Sequence, residues 1–220
     1  MKKDTSNNKL SDVKLSYLKN FTQGQSILDV GSGQCFYSQW LHQRDSNFNI
    51  TAVDCVDLEQ TPSHIGYLKL NLESTFPFQD QSFDTIIAFD VIEHIENETQ
   101  LINELNRVCK NDGIIIGSVP HDNDKFLPDY NLTFYHRSDL THKRYYLPET
   151  LYSKLCAAGF DIKTVELHGG INPQVIAEFF PKHTRFLIKK IIGIFRRMGL
   201  INIEILKSDL FFVAKKVIND

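Results

Sequence analysis

Ile27-Leu28-Asp29-Val30-Gly31-Ser32-Gly33 constrains this chain more than any other stretch. Ser26 to Val30 are apolar and β-prone, with one acid set among them, and Gly31 and Gly33 follow at once. Two glycines let the backbone turn sharply and let a ligand approach where a Cβ would stand in the way. From Cys35 to His42 the pattern turns helical, with Phe36, Trp40 and Leu41 on one face. Strand, glycine turn and helix N-terminus together make a nucleotide-type binding corner at the carboxyl end of a sheet. A dinucleotide fingerprint would want a further glycine where Phe36 stands, which disfavours NAD and FAD. No lysine follows in P-loop register.

The rest of the chain repeats the alternation. Leu10 to Phe21 read as an amphipathic helix with Val13, Tyr17 and Leu18 to one side. Strands are expected at 48–54, 67–70 and 83–89, and a helix at 98–108 carries Leu101, Ile102, Leu105 and Val108 at helical spacing. Asp112-Gly113 reads as a turn into a strand at 114–119, which Pro120 stops. Pro148 and Gly159 bracket another helix, and strands at 161–167 and 209–215 enclose an insertion at 172–203. Strands alternating with helices predict a mainly parallel sheet covered on both faces, whose strands are apolar throughout. The 220 residues fit one domain, 1–220, with an irregular polar segment at about 121–147.

Composition narrows the partners. A net charge of −3 gives no reason to expect nucleic acid. The four cysteines are scattered without a Cys-x-x-Cys pair, which favours a reducing, cytoplasmic compartment over a disulfide framework or a zinc site. Met1 to Asn8 lack the apolar core of a signal peptide, and no apolar run is long enough to span a bilayer.

Five segments resemble the class I S-adenosylmethionine-dependent methyltransferases, in particular the ubiquinone-biosynthesis and small-molecule group. They are 27–33, Ala52-Val53-Asp54, 76–84, Asp90-Val91-Ile92-Glu93-His94-Ile95 and 105–113, in family order; the third glycine usual in the first is Cys35 here. The resemblance implies a doubly wound, Rossmann-like α/β sheet of seven strands in the order 3-2-1-4-5-7-6, the last antiparallel. It also implies S-adenosyl-L-methionine as cofactor, with a small-molecule, sugar or lipid-linked acceptor methylated on oxygen. A methyltransferase-like binder or partner subunit without catalysis is the competing class.

The chemistry of the positions agrees. Asp29 can accept hydrogen bonds from the cofactor's ammonium, and Gly31 and Gly33 permit close backbone passage. Asp54, 25 residues beyond Asp29, can take both ribose hydroxyls. Asn71 and Leu72 stand where the family reads and packs the adenine, with plain turn formation the alternative for Asn71. Phe89 and Asp90 close the pocket. Asp84 reads as structural and Trp40 as core. His121, directly after Val119-Pro120, is the first choice of general base, ahead of Asp122, Asp124, His136 and His142. Arg144, Tyr145 and Tyr146 hold substrate or anchor the loop. Asp90, Glu93 and His94 match an acid-x-x-Glu-His arrangement that binds a divalent cation in some relatives, with His121 a candidate fourth ligand. The reading adopted assigns no metal.

Within the insertion, Arg185 to Met198 form a basic amphipathic helix. Arg185, Lys189, Lys190, Arg196 and Arg197 share one arc, with Leu187, Ile191, Ile194, Phe195 and Met198 opposite. Such a helix suits an anionic membrane surface or a lipid-linked substrate through about 185–201, and packing on the domain or a second subunit is the alternative.

Overall fold

The computed structural model describes residues 10–58, 60, 62–122, 135–169, 180–198 and 207–217. Asp124, the polar N-terminus to Asn8, and much of the 121–147 and 172–203 segments lie outside the described residues.

Seven strands form one sheet: β1 (Ser26–Val30), β2 (Asn49–Asp54), β3 (Gly66–Lys69), β4 (Phe83–Phe89), β5 (Cys109–Pro120), β6 (Phe160–His168) and β7 (Asp209–Lys216). Their order is β3-β2-β1-β4-β5-β7-β6, as the family resemblance implies. β1 to β5 run parallel, and β7 lies antiparallel between β5 and β6. The two innermost strands are buried from end to end in the way two covered faces demand: β1 is buried from Ile27, and only Asp84 interrupts β4.

Helices α1 (Asp12–Phe21) and α2 (Phe36–Arg44) send Tyr17, Leu18 and Leu41 into the core on one face. Helices α3 (Glu98–Val108) and α4 (Pro148–Ala157) send Leu101, Ile102, Leu105, Val108, Leu151 and Leu155 into the core on the other. The starts of these helices are written in the sequence: Ser11 Oγ accepts from Lys14 N–H, Asn97 Oδ1 accepts from Gln100 N–H, and Pro148 opens α4. Asp84 is structural, accepting from Gln25 and Ser26 N–H at 3.1 and 2.9 Å and pairing with Lys110. These contacts tie the start of β4 to the start of β1, and they hold the Asp84 carboxyl below the usual carboxylate range against the opposing effect of burial. Trp40 packs at the margin of the core with Arg44 over its ring.

One boundary differs from the sequence reading. The Asp112-Gly113 turn lies inside β5 as a bulge, because Cys109 already pairs with Phe83 before the register shifts to Thr85 opposite Ile114. Asp112 takes φ of +62° there, and a Cβ on Gly113 would meet Cys109 Sγ and Lys110 O at 2.8 Å.

Candidate active site and cofactor cleft

The carboxyl ends of β1, β2 and β4 bring Asp29, Gly31, Gly33, Asp54, Phe89 and Asp90 to one edge of the sheet. Asp29 stands in mid-sheet register, opposite Ala52 on β2 and Ile87 on β4. It is 4% exposed and accepts the Ser38 hydroxyl at 2.6 Å. Burial pushes its carboxyl up to about 6, Ser38 opposes the shift, and nearby Asp54 adds to it. A cation arriving here would find a carboxyl placed to become its counter-ion.

The two glycines do different work. Gly31 adopts φ of +66°, and a Cβ on it would lie 2.3 Å from Val91 Cγ2, so it serves the packing of the segment after β4. Gly33 has φ of +51° and no atom within 4 Å of the place its Cβ would take, which leaves open space above the turn. Its N–H donates to Asp54 Oδ2 at 2.7 Å, and Val56 N–H donates to Asp54 Oδ1 at 3.3 Å. The Asp54 carboxylate is thereby fixed at the end of β2. A diol-bearing ligand along the glycine turn could bind to it.

Asn71 sits on an exposed turn just after β3, where its side-chain oxygen accepts Glu73 N–H at 3.0 Å, and Leu72 is buried in the core beside it. Phe89 is buried with Tyr37 edge-on at 5.5 Å. Asp90 has φ of +54° and accepts from Ser118 Oγ and from Lys14 Nζ. Lys14 reaches in from α1, 5.2 Å from the centre of the Phe89 ring. The sequence reading passed over Lys14, Ser38 and Ser118. Lys14 shares the face of Tyr17 and Leu18, three and four residues on, so a signal was present.

Beside this cleft, a cavity of about 280 Å³ is lined by Asp90, Glu93, His94, Pro120, His136, Asp139, His142 and Asp209. His121 is buried at the end of β5, where it bridges to Tyr146, and it does not line the cavity. Glu93 and His94 lie on a 3₁₀ turn, Ile92–His94. Glu93 is 1% exposed, neither carboxylate oxygen has a hydrogen-bond partner among the described residues, and burial with Asp90 nearby raises its carboxyl well above the usual range. His94 Nδ1 meets Thr141 Oγ1 at 2.9 Å, and Thr141 Oγ1 donates to Asp139 at 2.6 Å. With the hydroxyl hydrogen spent on Asp139, the Thr141 oxygen accepts from Nδ1–H, and Nε2 carries the His94 lone pair. His142 Nδ1 is buried without a partner among the described residues, and burial beside His94 holds the ring's pKa down.

Ligand atoms of Glu93, His94 and His142 lie within 4.8 Å of one another. An orphaned buried carboxylate facing two imidazoles fits a divalent cation. The cluster differs from the sequence alternative: His142, 48 residues beyond His94, completes it in place of His121. The segment carrying His142 is fastened to the 3₁₀ turn. Lys143 N–H donates to Glu93 O at 2.8 Å, Arg144 donates to the carbonyls of Ile95 and Glu96, and Tyr146 donates to buried Glu98. Arg144 and Tyr146 therefore anchor the loop.

Comparison with known proteins places this geometry. The family described as "Methyltransferase domain" matches residues 28–117. The chain is 26% identical over 172 residues to the ubiquinone biosynthesis O-methyltransferase of Rickettsia typhi, covering 71% of this chain and 68% of that protein. It is 27% identical over 155 residues to the protein of the same name from Rickettsia canadensis, covering 64% of each, slightly under two thirds of that relative's length. A SAM-dependent methyltransferase from Archaeoglobus fulgidus superposes with a TM-score of 0.65 at 21% identity, covering 93% of both chains, and so shares the fold. The strand order, the glycine turn with its two acids, and these matches agree: residues 28–117 match a methyltransferase domain, and the chain is similar in sequence and fold to S-adenosylmethionine-dependent methyltransferases, whose cofactor is S-adenosyl-L-methionine.

Proposed function

We propose that the protein methylates a hydroxyl oxygen of a small-molecule or lipid-linked acceptor held in the cavity beside Asp90. One observation carries this reading: the cavity joins the cofactor edge of the sheet to three imidazoles, His94, His136 and His142. The bound cofactor supplies a methyl group on a sulfonium, already activated for in-line displacement. Asp29 holds its ammonium, Asp54 its ribose hydroxyls, Asn71 and Leu72 flank the adenine, and Gly33 leaves the backbone clear. The protein then has two tasks, aligning the acceptor oxygen and receiving its proton. His142 is assigned the proton because it lines the cavity with a lowered pKa and its Nε2 lies 3.7 Å from Asp139, whereas His121 lies outside the lining. The relatives' names, O-methyltransferases, support oxygen as the target atom.

The orphaned Glu93 carboxylate favours a second form of the same reading. Glu93, His94 and His142 would hold a divalent cation, which would lower the pKa of an acceptor hydroxyl bound to it.

The test is transfer of labelled methyl from S-adenosylmethionine to phenolic, sugar, carboxylate and amine acceptors, each with and without chelator. Label on phenolic or sugar oxygen is expected. Label on nitrogen or carboxylate alone, or none with cofactor binding intact, overturns the proposal. Loss of transfer on chelation that divalent metal restores selects the cation form.

A further inference from the structure

Helix α5 (Arg185–Arg197) turns its apolar side outward. Phe186, Leu187, Ile191, Ile194, Phe195 and Met198 are between 37% and 69% exposed, while Ile188, Ile192 and Lys189 are half-buried on the opposite side. A soluble domain normally covers such a stripe: Leu187, Ile191, Ile194, Phe195 and Met198 share one side of the helix, with exposed Phe186 at its margin, and an exposed apolar face of this kind marks an interaction surface. Lys190 borders it, with Nζ 4.6 Å from the centre of the Phe186 ring. Six cations fall between Lys182 and Arg197, and no acid occurs from 179 to 203, although the whole chain is acidic.

We propose that α5 docks on the surface of an anionic lipid bilayer, its exposed apolar side chains in the acyl boundary and the exposed Lys182 and Lys190 among the headgroups. The charge pattern chooses this occupant. Pairing of two copies through the same face would bring two acid-free cationic helices together, with like charges opposed about the two-fold axis. An anionic bilayer accepts the exposed apolar face and the exposed lysines that border it, Lys182 and Lys190, at once. The helix lies parallel to the surface, since no helix among the described residues is long and apolar enough to cross a membrane.

Topology gives the contact a use. The insertion leaves the sheet at His168, the end of β6, and returns at Asp209, the start of β7. Asp209 pairs with His168 and with Pro120, and both Pro120 and Asp209 line the cavity beside Asp90. The membrane-binding helix is therefore spliced into the strand ends that frame the cavity. The binding itself stands apart from the identity of the acceptor.

The test is flotation of the full chain with vesicles of phosphatidylcholine alone and of phosphatidylcholine with phosphatidylglycerol at 60:40, at low and high salt. Each cation near an anionic surface is worth about fivefold in partitioning, so Lys182→Glu with Lys190→Glu should weaken binding by 25-fold or more. Leu187→Ser with Ile194→Ser should weaken it by about 100-fold, from roughly tenfold per exposed apolar side chain withdrawn from lipid. Both variants should bind S-adenosylmethionine like the parent, because the changed side chains are exposed and remote in sequence from the cleft. No flotation with anionic vesicles, equal flotation with neutral ones, or unaffected variants overturns the proposal. So does a wild-type dimer that the Leu187→Ser, Ile194→Ser variant converts to monomer in sedimentation velocity, since that assigns the face to a second copy.

Discussion

Replacing Asp29 with asparagine should make the protein more stable and a poorer binder of its cofactor. Burial raises the Asp29 carboxyl from 3.8 to about 6, so the folded chain retains a proton that the unfolded chain has released across that window. Stability therefore falls as pH rises from about 4 to about 6, and the full deficit is present above that range. A rise from 3.8 to about 6, at 1.36 kcal/mol per pH unit, amounts to about 3 kcal/mol. Asparagine keeps an acceptor for Ser38 and removes the charge. For a chain of this length about 3 kcal/mol corresponds to a Tm rise of roughly 6–12 °C at pH 7.5, shrinking toward zero near pH 4. The same change removes a charge-assisted contact to the cofactor's ammonium, worth about 1.5–3 kcal/mol, or roughly 10- to 100-fold in Kd. In the wild type, cofactor binding below pH 6 should release a proton, so affinity should climb with pH up to that point. Denaturant melts of both proteins at pH 4.5, 6 and 7.5, with calorimetry in buffers of different ionisation enthalpy, measure all of this. A variant less stable than wild type at pH 7.5, or a stability gap that ignores pH, would refute the reasoning.

Three further outcomes are expected. Gly31→Ala, which must displace Val91 at a left-handed backbone position, should lower stability by about 2–4 kcal/mol, whereas Gly33→Ala should cost only about 1 kcal/mol of strain while its methyl obstructs the cofactor; paired melts and titrations separate the two. Asp54→Ala deprives two backbone N–H groups and the ribose of their acceptor, so cofactor Kd should rise about 100-fold by calorimetry. His142→Ala should reduce kcat by about 10²- to 10⁴-fold with little change in cofactor Kd, and a kcat within a factor of three of wild type would remove His142 from the proton transfer.

The sheet was legible because strands covered on both faces are apolar from end to end, so β1 and β4 announce themselves and the acids closing β1 and β2 stand out against them. The β5 bulge was not, since Asp112-Gly113 reads the same whether it ends a strand or kinks one. The cavity was legible only in part. Glu93 and His94 are adjacent and visible, but His142 joins them through hydrogen bonds that fasten its loop to the 3₁₀ turn, and sequence spacing cannot register a loop folding back. The helical wheel of α5 separates cations from apolar side chains equally well whether that face is covered or bare. Only the packing distinguishes them.

The position of β7 bears on how the chain is made. It is the last strand of this sheet to leave the ribosome, yet it fills the gap between β5 and β6. Until residues 209–216 emerge, both neighbours present unsatisfied edges, and β5 with its run of Ile114, Ile115 and Ile116 is an open template for another nascent chain. Asp209 arrives with β7, so the cavity wall is completed in the same late step. Synthesis that stalls before Asp209 should therefore leave a fragment with two open sheet edges and an incomplete cavity wall, the state in which this chain is most exposed to aggregation.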